Sequence, residues 1–148
     1  MLRQGTGLHV APDQTVSHVR AYYDGVFDEL AASTHIDDAA VTQQEIDRRR
    51  SIRSYPPGSF SAAKLREAVA VESEAGKKPS LILLEGIDLG DFDRSELFDL
   101  RALAGELAAE VWLSVVSDGE QIDALPGSVE QFQDVVSVIL ALEPDRDG

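Results

Sequence analysis

Four apolar residues in a row, Leu81-Ile82-Leu83-Leu84, end in Glu85 and Gly86. A run without polar alternation suits a strand covered on both faces, as in a parallel sheet between helices. Residues 111–116 read the same way, and the apolar run 135–142 predicts a last strand. A shorter run, 8–11, predicts a strand near the start, and 51–55 a weak one stopped by Pro56-Pro57-Gly58. Between these runs the period changes to that of a helix. Over 14–33, Val16, Val19, Tyr22, Tyr23, Val26, Phe27 and Leu30 form a stripe expected to pack on the sheet, with Asp13 as its cap. A loop is expected over 34–40. Thr42 with Glu45 has the spacing of a capping box and predicts a short helix over 43–49. Ser61 is expected to cap a helix to about residue 75, with Phe60 and Leu65 as its hydrophobic staple and Gly76 at its end. Asp93 with Glu96 is a second capping box, for a helix carrying Leu97, Leu100, Leu103 and Leu107. Ser128 with Gln131 suggests one further helical turn. Strand and helix alternate throughout. That order predicts right-handed crossovers, with 8–11, 81–85, 111–116 and 135–142 parallel in one sheet. The fold class is therefore α/β: three layers, a mainly parallel sheet flanked by helices.

Composition narrows what such a domain can do. The 148 residues suit a single domain, and 43% hydrophobic residues can build a core. With no Cys, disulfides, thiolate metal sites and a cysteine nucleophile are excluded, and a cytoplasmic location is expected. No stretch has the length or apolarity of a membrane span. Acids number 27 against 13 bases, for a net charge of −14, and Lys64, Lys77 and Lys78 are the only lysines. Such a surface repels a phosphate backbone, so direct nucleic-acid binding is not expected.

The candidate chemistry centres on carboxylates. Glu85 ends a buried strand, where open α/β sheets place their ligands. Glu85 and Asp88 are candidate Mg²⁺ ligands; equally, they read as a polar strand end before a solvated loop with Asp91 and Asp93. Asp13 can orient a water or simply cap a helix. His9, His18 and His35 share no ligand spacing. Arg48, Arg49, Arg50 and Arg53 can bind an anion or reach a neighbouring subunit; as a helix end they pair with Glu45 and Asp47 and suit the helix dipole. Trp112 is expected to pack in its strand, and Tyr22 and Tyr23 to be core and rim residues. Neither GxSxG nor GxGxxG occurs after a strand.

In its order of parts the chain resembles the RecA-like P-loop ATPase core, in the branch of KaiC and DnaB. Leu2-Arg3-Gln4-Gly5 looks like the end of the helix after a Walker A loop, and 8–11 resembles the family's second strand. Asp13 lies near the position of the acid that activates the attacking water. Residues 81–85 resemble Walker B, with Glu85 where Asp is usual. Residues 111–116 resemble the next strand, whose end holds a polar sensor, here nearest Ser117; 135–142 resemble the strand after that. In that family the Walker A strand lies mid-sheet, between the strands matched by 81–85 and 111–116 on one side and by 135–142 on the other. Yet no GxxxxGK[ST] occurs in the 148 residues. Without that loop and its Lys, phosphates are neither held nor neutralised. The resemblance thus implies a module with no ATP hydrolysis of its own, either the C-terminal part of a longer ATPase core or a diverged regulatory form acting through protein contacts. Mg-ATP would be its cofactor only if a Walker A portion were supplied upstream. Unpaired edges left by the missing strand imply self-association or a protein partner. The reading from another class is a small acidic α/β protein-binding or scaffold domain unrelated to ATPases.

Overall fold

The structure is a computed structural model, described here for residues 5–115 and 127–142. Its centre is a four-stranded, all-parallel sheet in the order β2-β1-β3-β4. The strands are β1 (Gly7–Val10), β2 (Arg50–Arg53), β3 (Leu81–Leu84) and β4 (Glu110–Leu113). Helices α1 (Val16–Thr34) and α2 (Ala39–Arg49) join β1 to β2; α3 (Ala62–Glu74) joins β2 to β3; α4 (Arg94–Leu107) joins β3 to β4; and α5 (Gly127–Glu130) follows. Register sets Gly7 beside Arg50 and Leu81, and Leu81 beside Glu110.

Because strand side chains alternate, this register divides the sheet into two unlike faces. On one lie Leu8, Val10, Ile82 and Leu84, fully buried under Leu65, Ala68 and Val69 of α3 and Leu97, Leu100 and Leu103 of α4. Phe92 and Phe60 close one end of this core, their ring centroids 6.0 Å apart. Val129, Phe132 and Val135 add a last apolar patch to it. Glu72 is the buried charge of this side. Its carboxylate accepts hydrogen bonds from Ser51 Oγ at 2.7 Å and Arg53 Nη2 at 2.8 Å, tying α3 to β2. Burial alone would raise its pKa, but those bonds outweigh it and hold the carboxyl below its ordinary value. The other face carries His9, Ile52, Leu81, Leu83 and Trp112, and its cover is thin. Helices α1 and α2 pack on β2.

The chain is α/β as expected, with the strands expected near 8–11, 81–85 and 111–116 parallel in one sheet; four local expectations are corrected. Residues 135–142 are not a strand. A strand exists through its neighbour's hydrogen bonds. Here Val135 N instead closes a turn onto Phe132 O at 2.8 Å, and Arg101 Nη1 donates to the Asp134 and Val135 carbonyls. Val138, Leu140 and Leu142 stay exposed. Helix α1 is capped not by Asp13 but by Thr15, whose Oγ1 accepts from His18 N at 3.2 Å. Asp13 stands before it in a left-handed conformation, φ 66°. Helix α2 begins at Ala39, before the expected Thr42 box; Thr42 N already donates to Asp38 O. The α1 stripe is also shallower than its periodicity suggests: Val19 is buried, while Val16, Tyr22, Val26 and Leu30 are exposed. By contrast, Ser61 caps α3, and the Asp93–Glu96 capping box opens α4.

Candidate functional site

The carboxyl ends of β1, β3 and β4 meet at one rim of the sheet. Glu85 N continues the ladder by donating to Val10 O at 2.9 Å, and Ser114 N donates to Leu84 O at 3.0 Å. Gly86 then turns the chain with φ 67°, a region where glycine alone is unstrained. Its N–H donates to Ser114 Oγ at 3.1 Å. Buried Ile87 and Leu89 anchor the loop beyond.

Glu85 follows Leu81 and Leu83 on the thinly covered face. Since His9 is in register with Leu83, the Glu85 side chain lies diagonally across from the imidazole. Glu85 Oε2 is 2.9 Å from His9 Nε2, off the line of the ring N–H, and Nε2 has no aligned hydrogen-bond partner. On its other side, His9 Nδ1 is 2.9 Å from the Tyr23 hydroxyl of α1, and the two rings meet edge to face at 5.5 Å. The neutral ring fits both neighbours when Nδ1 accepts from the Tyr23 O–H and the proton sits on Nε2, facing the carboxylate. Arg50 lies with its guanidinium 4.1 Å from the centre of the Tyr23 ring and pairs with Asp47. The result is a chain Glu85–His9–Tyr23–Arg50 crossing β3, β1, α1 and β2.

Its electrostatics follow from burial. His9 is only 4% exposed. Burial lowers its pKa; the nearby Glu85 carboxylate opposes this without overcoming it, and Arg50 adds to the lowering. Burial likewise raises the Tyr23 hydroxyl above its ordinary value. Through Nδ1 and Tyr23 the ring holds β1 to α1.

The residues singled out in the sequence are brought together only in part. Glu85, 42% exposed at its side chain, faces His9. Asp88 points elsewhere: its Oδ1 accepts from Gly90 N at 2.7 Å and caps the short turn Leu89–Asp91. Asp13 is exposed on the loop after β1. Ser117 lies outside the described residues, as do Leu2-Arg3-Gln4 and Val116. Among the described residues, no three His, Cys, Asp or Glu side chains converge as metal ligands would. The arginine cluster is dispersed: Arg49 pairs with Glu45 at 3.4 Å, Arg50 stacks on Tyr23, Arg53 binds Glu72, and Arg48 is exposed.

Sequence reasoning missed the link from His9 to Tyr23 and Glu85. One signal was present, a polar ring inside an apolar strand, which requires a buried partner. His9 and Tyr23 themselves border a shallow groove of about 290 Å³, lined further by Arg50, Leu81, Leu83, Glu110 and Trp112. Trp112, expected to pack, is 42% exposed there, and Leu81 is 43% exposed. No described helix is long and apolar enough to cross a membrane. No protein-family model matches the chain, and neither a curated protein nor a solved structure matches it.

Proposed function

We propose that this chain is a RecA-like ATPase-type module without nucleotide chemistry of its own, acting through protein contacts. The observation that carries the reading is the state of the strand-end carboxylate. Glu85 faces a buried histidine, and Asp88 caps the turn that follows. In a P-loop enzyme the Walker B acid at this strand end serves Mg²⁺. Supporting the ATPase-like part is the neighbour order β1-β3-β4. It sets the strands that resemble the family's second, Walker B and following strands side by side. Among the described residues it also leaves free the outer edge of β4, where the family's Walker A strand sits. Strand β2, without a counterpart in that resemblance, favours the second reading: an acidic α/β docking domain unrelated to ATPases.

Both readings exclude tight nucleotide binding, and calorimetry tests this. A net charge of −14 repels ATP, and the sequence holds no amide cradle with its Lys to offset that. Titration of the chain with Mg-ATP is expected to show no saturable binding below about millimolar, about 4 kcal/mol of affinity. A micromolar dissociation constant overturns both readings.

A further inference from the structure

We propose that the half of the thinly covered sheet face left open among the described residues, over β3 and β4, is the docking site for a cationic amphipathic helix of a partner protein. Parallel sheets bury both faces, ordinarily under helices. Here α3 and α4 cover one face, while α1 and α2 lie over the β2 side of the other. His9 on β1 is hydrogen-bonded to Tyr23 and only 4% exposed. Next to it, the pairs Leu81–Glu110 and Leu83–Trp112 carry the same face outward, with Leu81 and Trp112 more than two-fifths exposed.

The open strip is two strands wide, roughly 10 Å at the usual strand spacing. One α-helix has about that diameter. A third strand could extend the edge of β4 but would leave this apolar strip uncovered; a helix laid along it buries the strip. The charge selects the helix. Glu110 sits at one end of the strip, and Glu85 at the other on the same face. Among the described residues, the arginine lining the groove, Arg50, is already occupied by Asp47 and Tyr23. The chain as a whole carries −14. A leucine-type stripe flanked by Lys or Arg complements both the strip and its ends, whereas a second copy of this chain brings the same negative charge.

Trp112 is the only tryptophan and lies on the strip, so its emission reports occupancy directly. The probe is a synthetic helical peptide of leucine and lysine with the leucines on one face, titrated into the full chain. The expected result is a saturable blue shift of Trp112 emission. Two control peptides, one with glutamate for lysine and one with the leucines scattered around the helix, should give none. Leu81→Asp makes the chain still more acidic, so mere charge attraction would strengthen binding; docking on the strip should instead weaken it by about tenfold or more. Glu110→Lys, at an exposed strand start, should weaken it as well and serves if Leu81→Asp does not fold. Equal binding by these variants, or binding of the scattered peptide, overturns the proposal. So does a shift that grows with the chain's own concentration and vanishes in Leu81→Asp, which would make a second copy the occupant. The proposal rests on the protein-contact reading, but a failed peptide titration alongside absent Mg-ATP binding removes only the docking site.

Discussion

The fold makes the His9 imidazole harder to protonate, because burial disfavours its charged form. The other two histidines are exposed, while His9 is enclosed between Glu85 and Tyr23. Burial makes it bind a proton less readily in the fold than in the unfolded chain. Above about pH 6.5 both states hold the neutral ring, and its full contribution to stability is present. As pH falls below that value the unfolded chain takes up the proton first, so stability declines until the folded pKa is passed. The carboxylates held below their ordinary values, Glu72 and Asp93, behave separately. Their contributions are lost only at more acidic pH, below about 4.5. Urea unfolding between about pH 5.5 and 7.5 should therefore show stability rising with pH, and His9→Gln should flatten that rise. Equal slopes in the two chains would refute this account. The role of His9 was hidden in the sequence because its partners come from residues 23 and 85, and nothing local announces their approach. Glu85 itself was legible as a strand-end acid. Its neighbour was not.

At the scale of elements, two similar capping signals behave in opposite ways. Ser61 caps α3 by accepting from Lys64 N at 3.3 Å. Thr42, with the better box in Glu45, lies inside α2, whose first turn is set by the left-handed Asp38, φ 54°. The tight turn out of α1, with His35 also left-handed, starts α2 before Thr42 can act. Ser61→Ala should thus cost about 1 kcal/mol of stability. Thr42→Ala should cost nothing and can gain up to about 0.5 kcal/mol, because alanine is the better residue within a helix. Chemical denaturation of the two variants measures the contrast, and a comparable loss in both would contradict the assigned helix start. The same lesson covers 135–142. Its composition is that of a strand, but the run does not reach the outer edge of β4: its start closes a turn onto Phe132, and Arg101 holds the carbonyls there. Periodicity reported correctly which segments were apolar. It could not report which of them would find a partner.

For the whole molecule, the order of strands follows from crossovers that the alternation of patterns made legible, whereas the uneven cover of the two faces did not follow from α1's stripe. That stripe is wide enough for a sheet, yet α1 lies over β2 and leaves Tyr22 69% exposed. The edge of β4 has no partner among the described residues, and such edges pair with one another. Sedimentation at physiological salt should accordingly show a dimer or larger species, and lowering the salt should dissociate it as repulsion between chains of charge −14 grows. Association along the edge should survive Leu81→Asp, which alters the face alone. A clean monomer of 16.0 kDa at every salt concentration would exclude the edge as an interface. The position of β1 has a consequence for synthesis. This first strand lies inside the sheet, and its two neighbours begin only at Arg50 and Leu81. During synthesis β1 must therefore stay unmatched, through two helices and then a third, until both flanking strands have emerged. Loop closure of that length slows folding. Charge gives the waiting segment little protection: residues 11–80 carry 11 acids and 9 bases, and most of the −14 arrives only with residues 81–148, so self-repulsion begins when the sheet can close.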